Sequence, residues 1–225
     1  MKKRKDTVST GTITVCAFVF PGAETGTFSA SKHSAPVRIK REIACANSIW
    51  KRVSGNVTKN AIRFKLIKTI IFPQTLKGLE VNAENISMNA KKLMKNAKLL
   101  LGLAEKYGPE ADLYVYYMDG EQIGATQEDG ARVLAITYID YPIIIMSNGA
   151  QKSDFILAHE IGHFLFNTNR FGDTNDPQPI RGDPAHNVEP TNLMYPTGMY
   201  WPKPPNMPFI TSEQLYKALN SKLFY

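Results

Sequence analysis

Hydrophobic positions recur along this chain with two different periods, and the period changes from segment to segment. Between residues 39 and 53 apolar side chains recur every three or four positions, which is typical of an amphipathic helix. Between residues 62 and 66 apolar and basic side chains alternate, which is typical of a strand with one buried face. The same patterns predict strands at 12–20, 62–66, 113–118, 133–138 and 142–146, and helices beginning near Ser34, Ser87, Ser153 and Thr211.

The order of these elements predicts a mixed α/β (α+β) fold. A twisted mixed sheet of about five strands with helices packed on it is the natural architecture for alternating strands and helices. Residues 167–208 are rich in Pro, Gly, Asn and Asp, so we expect them to be mostly irregular. We expect one domain over 1–225, with an upper sheet-and-helix subdomain at 1–166 and a small lower subdomain at 167–225 that ends in a helix.

Composition narrows the class of protein. The chain has 225 residues, 43% of them hydrophobic, which is enough for a buried core and too apolar for disorder. The longest apolar runs are far shorter than the ~20 residues that span a bilayer, so we expect no transmembrane segment. Cys16 and Cys45 are too few for a disulfide framework or a four-thiolate metal site, and we expect two thiols, with a single bridge as the alternative.

Charge is distributed unevenly along the chain. Residues 1–106 carry a net charge of +14 and residues 107–225 a net charge of −7. A basic half can favour nucleic acid. However, four of its lysines (91, 92, 95 and 98) fall on a predicted helix, where they form a solvated face. No helix-turn-helix, RNA-recognition or zinc-finger signature is present, so we expect no nucleic-acid partner.

The first 23 residues resemble a secretory signal peptide only in part. A basic start precedes an apolar stretch at 13–20, but residues 6–12 between them are polar, and residues 21–23 lack the small-x-small pattern of a cleavage site. We therefore interpret residues 12–20 as a first strand. A cytoplasmic protein or export by a leaderless route follows from that interpretation, and secretion with a weak signal peptide is the alternative.

The third predicted helix contains the sequence His159-Glu160-Ile161-Gly162-His163. Two histidines at i and i+4 lie one turn apart on the same face, so both imidazoles can reach one metal ion. Glu160 is adjacent to the first histidine, from where its carboxylate can reach a water molecule without binding the metal itself. This is the arrangement that metal-assisted hydrolysis needs for a general base, with Zn²⁺ as the expected ion.

A catalytic zinc ion takes three protein ligands and keeps one position open, so a third ligand is required. The remaining histidines are His33, which precedes the first helix, and His186, which lies in the predicted irregular segment. A loop that returns under the helix would bring His186 to the metal. Nearby carboxylates compete for the same role: Asp173, Asp176, Asp183 and Glu189.

Asn192-Leu193-Met194-Tyr195-Pro196 resembles the Met-turn of the metzincin zinc peptidases, in the form seen in matrixins. Met194 follows His186 by eight residues, which is the matrixin-like spacing between third ligand and Met-turn. The predicted order of strands and helices is also similar. The resemblance implies that His159, His163 and His186 bind zinc, that Glu160 acts as base and acid, and that Met194 forms a hydrophobic floor under the metal.

The chain departs from the family motif HExxHxxGxxH at two positions. Phe166 replaces the glycine and Asn169 replaces the third histidine. Without the glycine, we expect the helix to continue to about Asn169. The third ligand must then return across the 22 residues between His163 and His186. Leishmanolysin-like metzincins similarly interrupt the motif by an insertion.

These observations predict a zinc-dependent endopeptidase that acts on a protein or peptide. An extended substrate would cross the helix and pair with a sheet edge at 133–138. By resemblance, residues 196–198, including Pro196, would form the wall of the pocket for the residue after the cleaved bond, and Tyr195 or Tyr200 would donate to the oxyanion. The alternative is a non-catalytic domain, either a metal-stabilised interaction module or a basic nucleic-acid binder. The sequence does not indicate an oligomeric state.

Overall fold

The computed structural model describes residues 11–24, 37–54, 56–57, 61–73, 82–126, 130–203 and 206–224. Within these ranges the strands are β1 (Gly11–Val19), β2 (Arg52–Val53), β3 (Asn56–Val57), β4 (Ile62–Ile71), β5 (Leu113–Tyr117), β6 (Ala135–Thr137), β7 (Ile143–Met146), β8 (Pro179–Ile180) and β9 (Asp183–Asn187). The α-helices are α1 (Val37–Ile49), α2 (Ala90–Tyr107), α3 (Ile156–Asn167) and α4 (Ser212–Leu219).

The main sheet has five strands in the order β4-β1-β5-β7-β6. The pairs β4–β1, β1–β5 and β5–β7 are parallel, and β6 pairs antiparallel with β7 at one edge. Parallel neighbours need crossover connections, and α1 lies in the connection from β1 to its neighbour β4. Helix α2 lies between β4 and β5, which flank β1 on its two sides. The predicted mixed α/β class with a sheet of about five strands is therefore confirmed, and the sheet is mostly parallel.

Side chains of β1 alternate between two hydrophobic cores, one on each face of the sheet. Ile13 and Val15 belong to the core shared with α1, α3 and α4, whereas Phe18 belongs to the core shared with α2. The two cysteines lie on opposite faces, because Cys16 is in the α2-side core and Cys45 packs against the other. Both are free thiols, as expected.

Trp50 follows α1 and connects this helix to α3. Its side chain is fully buried, and its indole N–H donates a hydrogen bond to the Ala158 carbonyl oxygen at 3.1 Å. Because this contact lies one residue before His159, the packing of α1 helps to fix the position of the HExxH segment on the sheet.

Several predicted boundaries need correction. The second helix is capped by Asn89, whose side chain accepts from the Lys91 amide, and not by Ser87. Helix α3 ends at Asn167, two residues before the expected Asn169. The segment 167–208 is mostly irregular, as expected, and β8 and β9 form a short antiparallel hairpin within it.

Other expectations about the ends of the helices are met or fall outside the described ranges. The capping box of Thr211 and Gln214 at the start of α4 is confirmed, with both reciprocal hydrogen bonds present. The predicted cap at Ser34 lies outside the described residues. Among the described helices, none combines the length and the hydropathy that crossing a bilayer requires.

Candidate metal centre

Helix α3 places His159 and His163 one turn apart with their rings in contact. The two Nε2 atoms are 3.0 Å apart, and the ring planes are nearly perpendicular. The helix is almost entirely buried, because apolar side chains such as Leu157 and Ile161 pack it between the sheet and the C-terminal segment. The predicted i, i+4 pair is thus held inside the protein rather than on a solvated face.

His186 reaches the same place from the hairpin strand β9. Its ring centroid is 5.3 Å from that of His159 and 4.9 Å from that of His163. One potential ligand atom from each of the three histidines lies within 4.8 Å of the other two. The long return from α3 is therefore made by a short antiparallel hairpin that the sequence pattern did not predict.

Two of the three rings are oriented by hydrogen bonds at Nδ1. The Nδ1 of His159 is 2.7 Å from the Leu193 carbonyl oxygen, and the Nδ1 of His186 is 2.7 Å from an Asp183 carboxylate oxygen. A carbonyl oxygen only accepts, so His159 carries its proton on Nδ1 and leaves the Nε2 lone pair free. Such outer partners fix the orientation of metal-binding imidazoles and increase their basicity.

Burial keeps the two helical histidines neutral. Loss of hydration lowers the pKa of His159 to about 4, although its hydrogen bond to Leu193 opposes the shift. Loss of hydration, with the nearby histidines His159 and His186 adding to it, lowers the pKa of His163 well below its ordinary value. At neutral pH both imidazoles therefore have an unprotonated nitrogen, the form that binds metals.

Glu160 contacts the edge strand β6. The Thr137 hydroxyl lies 2.7 Å from the Glu160 carboxylate and 2.9 Å from the Glu160 carbonyl oxygen, and it donates its single proton to one of them at a time. Burial raises the pKa of Glu160 to about 7, while the hydrogen bond from Thr137 opposes that shift. Sequence analysis did not identify Thr137, since a lone threonine in a strand carries no signal of this contact.

The competing carboxylates are engaged elsewhere. Asp183 binds the His186 ring, and Asp176 accepts a hydrogen bond from Asn187 at 2.7 Å. Asp173 is exposed and forms an ion pair with Lys217 at 2.8 Å. Glu189 is also exposed and accepts a hydrogen bond from the hydroxyl of Thr191 within its own turn. His33 lies outside the described residues.

Met194 is fully buried directly beneath α3. A β-carbon built on Gly162 would lie 2.3 Å from the Met194 sulfur and 3.3 Å from the Trp50 ring. The absence of a side chain at Gly162 is what lets this methionine approach the helix between the two histidines. The turn itself is held by Asn192, whose side-chain oxygen accepts from the Met194 amide at 2.8 Å.

Replacement of Gly162 by alanine tests this contact. Alanine ordinarily stabilises a helix interior by about 1 kcal/mol relative to glycine. Here the new methyl group would overpack the core, which typically costs about 1–3 kcal/mol. We expect G162A to lower the melting temperature in thermal unfolding. In G102A, on α2, the added methyl group meets nothing within 4 Å, so we expect no loss of stability. Equal melting temperatures for the two variants would contradict the close contact with Met194.

A buried polar network connects the hairpin, the methionine turn and α4. The Gln214 side-chain amide donates to Asp176 at 2.6 Å and to the Asn192 side-chain oxygen at 3.0 Å. Asn187, the residue after His186, donates to the same Asp176 carboxylate. The partners are separated by up to 38 residues in sequence, so only the capping role of Gln214 was visible from the sequence. The network holds β9, and with it His186, in a fixed place.

An open cleft of about 440 Å³ adjoins the histidine cluster. Residues 131–135 form one side of the cleft, and residues 196–198 and Trp201 form the other. His159, Glu160 and His186 also line it. Pro196, predicted as part of a pocket wall, is among the residues that line this cleft. Tyr195 and Tyr200 are not among the lining residues and instead contact each other, with ring centroids 5.5 Å apart.

Comparison with known proteins gives information on the fold alone. No family model and no curated protein matches the chain. One chain of a solved structure described as a chaperone–substrate complex is similar, with a TM-score of 0.53 and 14% sequence identity. The match covers 96% of this chain and 35% of that one, so this chain spans about a third of that neighbour's length. At this identity the likeness concerns the arrangement of helices and strands.

Proposed function

We propose that this protein is a zinc-dependent endopeptidase of metzincin type. The observation that carries the proposal is a cluster of three imidazoles beside a carboxylate that does not belong to the cluster. His159, His186 and the carboxylate residue Glu160 line one open cleft. Three nitrogen ligands with a remaining open position are the donor set of catalytic zinc sites. The chain also provides the neighbouring carboxylate that hydrolysis requires and that a purely structural site does not.

The donor set fits zinc on chemical grounds. His159, His163 and His186 would hold the ion through neutral imidazole nitrogens, which suit zinc better than a calcium or magnesium ion. The Nδ1 hydrogen bonds of His159 and His186 match the outer partners that zinc-binding histidines normally have. Zinc, when bound, supplies Lewis acidity that polarises a peptide carbonyl and makes water easier to deprotonate.

Glu160 would move the proton. Its carboxylate takes a proton from the attacking water and then delivers it to the nitrogen of the departing amine. Thr137 holds one carboxylate oxygen through its hydroxyl, so the other oxygen is left for the water molecule. Because Glu160 is buried at the base of the cleft, the surrounding protein excludes bulk water from this transfer.

The substrate would bind as an added strand. Strand β6 is the edge of the main sheet, and no further strand of the described residues pairs with its outer side. Its residue Thr137 contacts Glu160, so a peptide paired with β6 passes directly over the catalytic carboxylate. Main-chain hydrogen bonds to an exposed edge provide affinity without requiring a particular sequence.

A non-catalytic, metal-stabilised interaction domain is the competing function. Such a domain would use the same three histidines, and it would close the site with a fourth protein ligand. Among the described residues, no fourth histidine, cysteine or carboxylate joins the cluster. The uneven charge of the chain still allows a basic nucleic-acid binder, for which the cleft and the histidines would have no role.

Metal analysis and hydrolysis of casein separate these functions. We expect protein purified without added metal to contain about one zinc ion per chain, and to digest casein until a chelator removes the ion. Restored activity after zinc is added back would exclude a contaminating protease that uses another mechanism. Bound zinc without hydrolysis of any peptide would favour the interaction domain, and absence of metal even after titration would refute the proposal.

A further inference from the structure

A second, apolar groove of about 290 Å³ opens on the opposite face of the sheet from the metal centre. It lies between the start of α2 and the turn that connects β6 to β7. Its apolar walls include Met94 and Ile139, which are 50% and 69% exposed. Large apolar side chains left open to water next to one another typically mark a surface that binds something. Asp140 is the only carboxylate among the residues that line it.

The groove and the catalytic cleft share the edge strand β6. Ala135 faces the core on the α3 side, whereas Ile136 packs against the core on the α2 side. Thr137 lines the groove, and its hydroxyl is 2.7 Å from the Glu160 carboxylate. Thr137 therefore belongs to the groove and also contacts Glu160, the residue that we propose as the general base.

Strand geometry determines which parts of a bound peptide reach each site. Successive side chains of a strand point to opposite faces of its sheet. When a peptide pairs with β6, every second side chain therefore points toward the metal-centre face, and the intervening ones point toward the α2 face. The groove lies on the α2 face beside residues 136–141, so these intervening side chains enter it.

We propose that this groove is a specificity site that selects a large apolar side chain of the substrate, such as leucine, methionine or phenylalanine. The inference rests on the proposed peptidase function. It adds the substrate class: peptides with an apolar residue at a position whose side chain points away from the metal. The groove occupies the residue 136–141 end of β6, whereas the cleft extends along residues 131–135, so the preference falls on one side of the cleaved bond.

The walls are suited to an apolar occupant. The hydroxyl of Tyr138 accepts a hydrogen bond from the Asn96 amide at 3.0 Å, so its polar end is already paired. Methionine side chains adapt to occupants of different shape, and Met88 and Met94 both line the groove. One methylene more or less in a hydrophobic pocket typically changes the discrimination between substrates by about 10–200-fold.

Cleavage of a mixed peptide library, followed by sequencing of the products, tests the inference. With the parent protein we expect selection of Leu, Met or Phe, by about tenfold or more over Ser and Asp, at a position on one side of the cut. M94E places a carboxylate in the groove and should change that preference to Lys and Arg. Leu99 is also on α2 and 47% exposed but does not line the groove, so L99E should keep the parental profile.

Each other outcome has a separate meaning. A parent enzyme that cleaves peptides without any apolar preference overturns the specificity site and leaves the peptidase function standing. Failure to cleave any peptide in the presence of zinc overturns both. If M94E does not fold, I139E, in the exposed turn, tests the same change of preference. An unchanged cleavage profile in a folded variant would overturn the specificity site. A changed oligomeric state in size-exclusion chromatography would also overturn it and would make the groove an interface between copies of this chain.

Discussion

Replacing Glu160 with alanine is expected to abolish nearly all peptidase activity while zinc content and fold remain. The carboxylate is outside the histidine cluster, so its removal leaves the three histidine nitrogens in place. Proton transfer by a positioned side chain contributes about 10²–10⁴-fold to a rate, and we expect a loss of at least that size in kcat. Steady-state hydrolysis of a fluorogenic peptide, with elemental analysis of the same sample, measures both quantities.

The matched control is E189A, which removes a carboxylate that is exposed and hydrogen-bonded only within its own turn. We expect this variant to retain the parental rate. An E160A protein that hydrolyses peptides as fast as E189A would refute the assigned role. A loss of zinc in E160A would instead indicate that the carboxylate supports the metal site, and the activity would then say nothing about proton transfer.

The contiguous part of the site could be predicted because helix geometry alone determines it. His159, Glu160 and His163 lie within one turn and a half of α3, so their relative placement follows from the helical repeat. The periodicity of apolar residues also predicted β1, β5 and β7, since these strands are buried and rich in β-branched and aromatic side chains. Local pattern and local structure agree in these segments.

Elements that depend on distant contacts were not predictable in the same way. The hairpin of β8 and β9 lies in a segment rich in Pro and Gly. It is held by hydrogen bonds that Asn187 and Gln214 donate to Asp176, and Gln214 is distant from Asp176 in sequence. Thr137 reaches Glu160 only because β6 pairs with β7 and packs on α3. A single sequence contains no sign of such pairings.

Asp183 shows how residue type alone can mislead. Its position near the motif made it a candidate ligand, whereas its carboxylate binds the Nδ1 atom of His186 three residues away. An aspartate and a histidine at this spacing are a signal that sequence analysis could have used. The acidic residue then orients the His186 ring, which is a common arrangement around metal-binding histidines.

Replacing His186 with alanine is expected to eliminate stable zinc binding and, with it, activity. Two helical histidines leave the ion one protein ligand short of the catalytic set. Loss of an outer partner such as Asp183 costs roughly 10–100-fold in affinity, so loss of a direct ligand should exceed that. Competition with a chromophoric chelator measures the affinity, and circular dichroism checks that α3 and the sheet persist.

Two carboxylate variants discriminate between His186 and its competitors. D173A and E189A remove exposed groups whose contacts are with Lys217 and Thr191, so both should bind zinc like the parent. A large loss of affinity in either one, together with retention in H186A, would make a carboxylate the third ligand. In that case the eight-residue spacing from His186 to Met194 would no longer support the proposed metzincin type, and that part of the proposal would be refuted. The proposed hydrolytic role of Glu160 would not be refuted by this result.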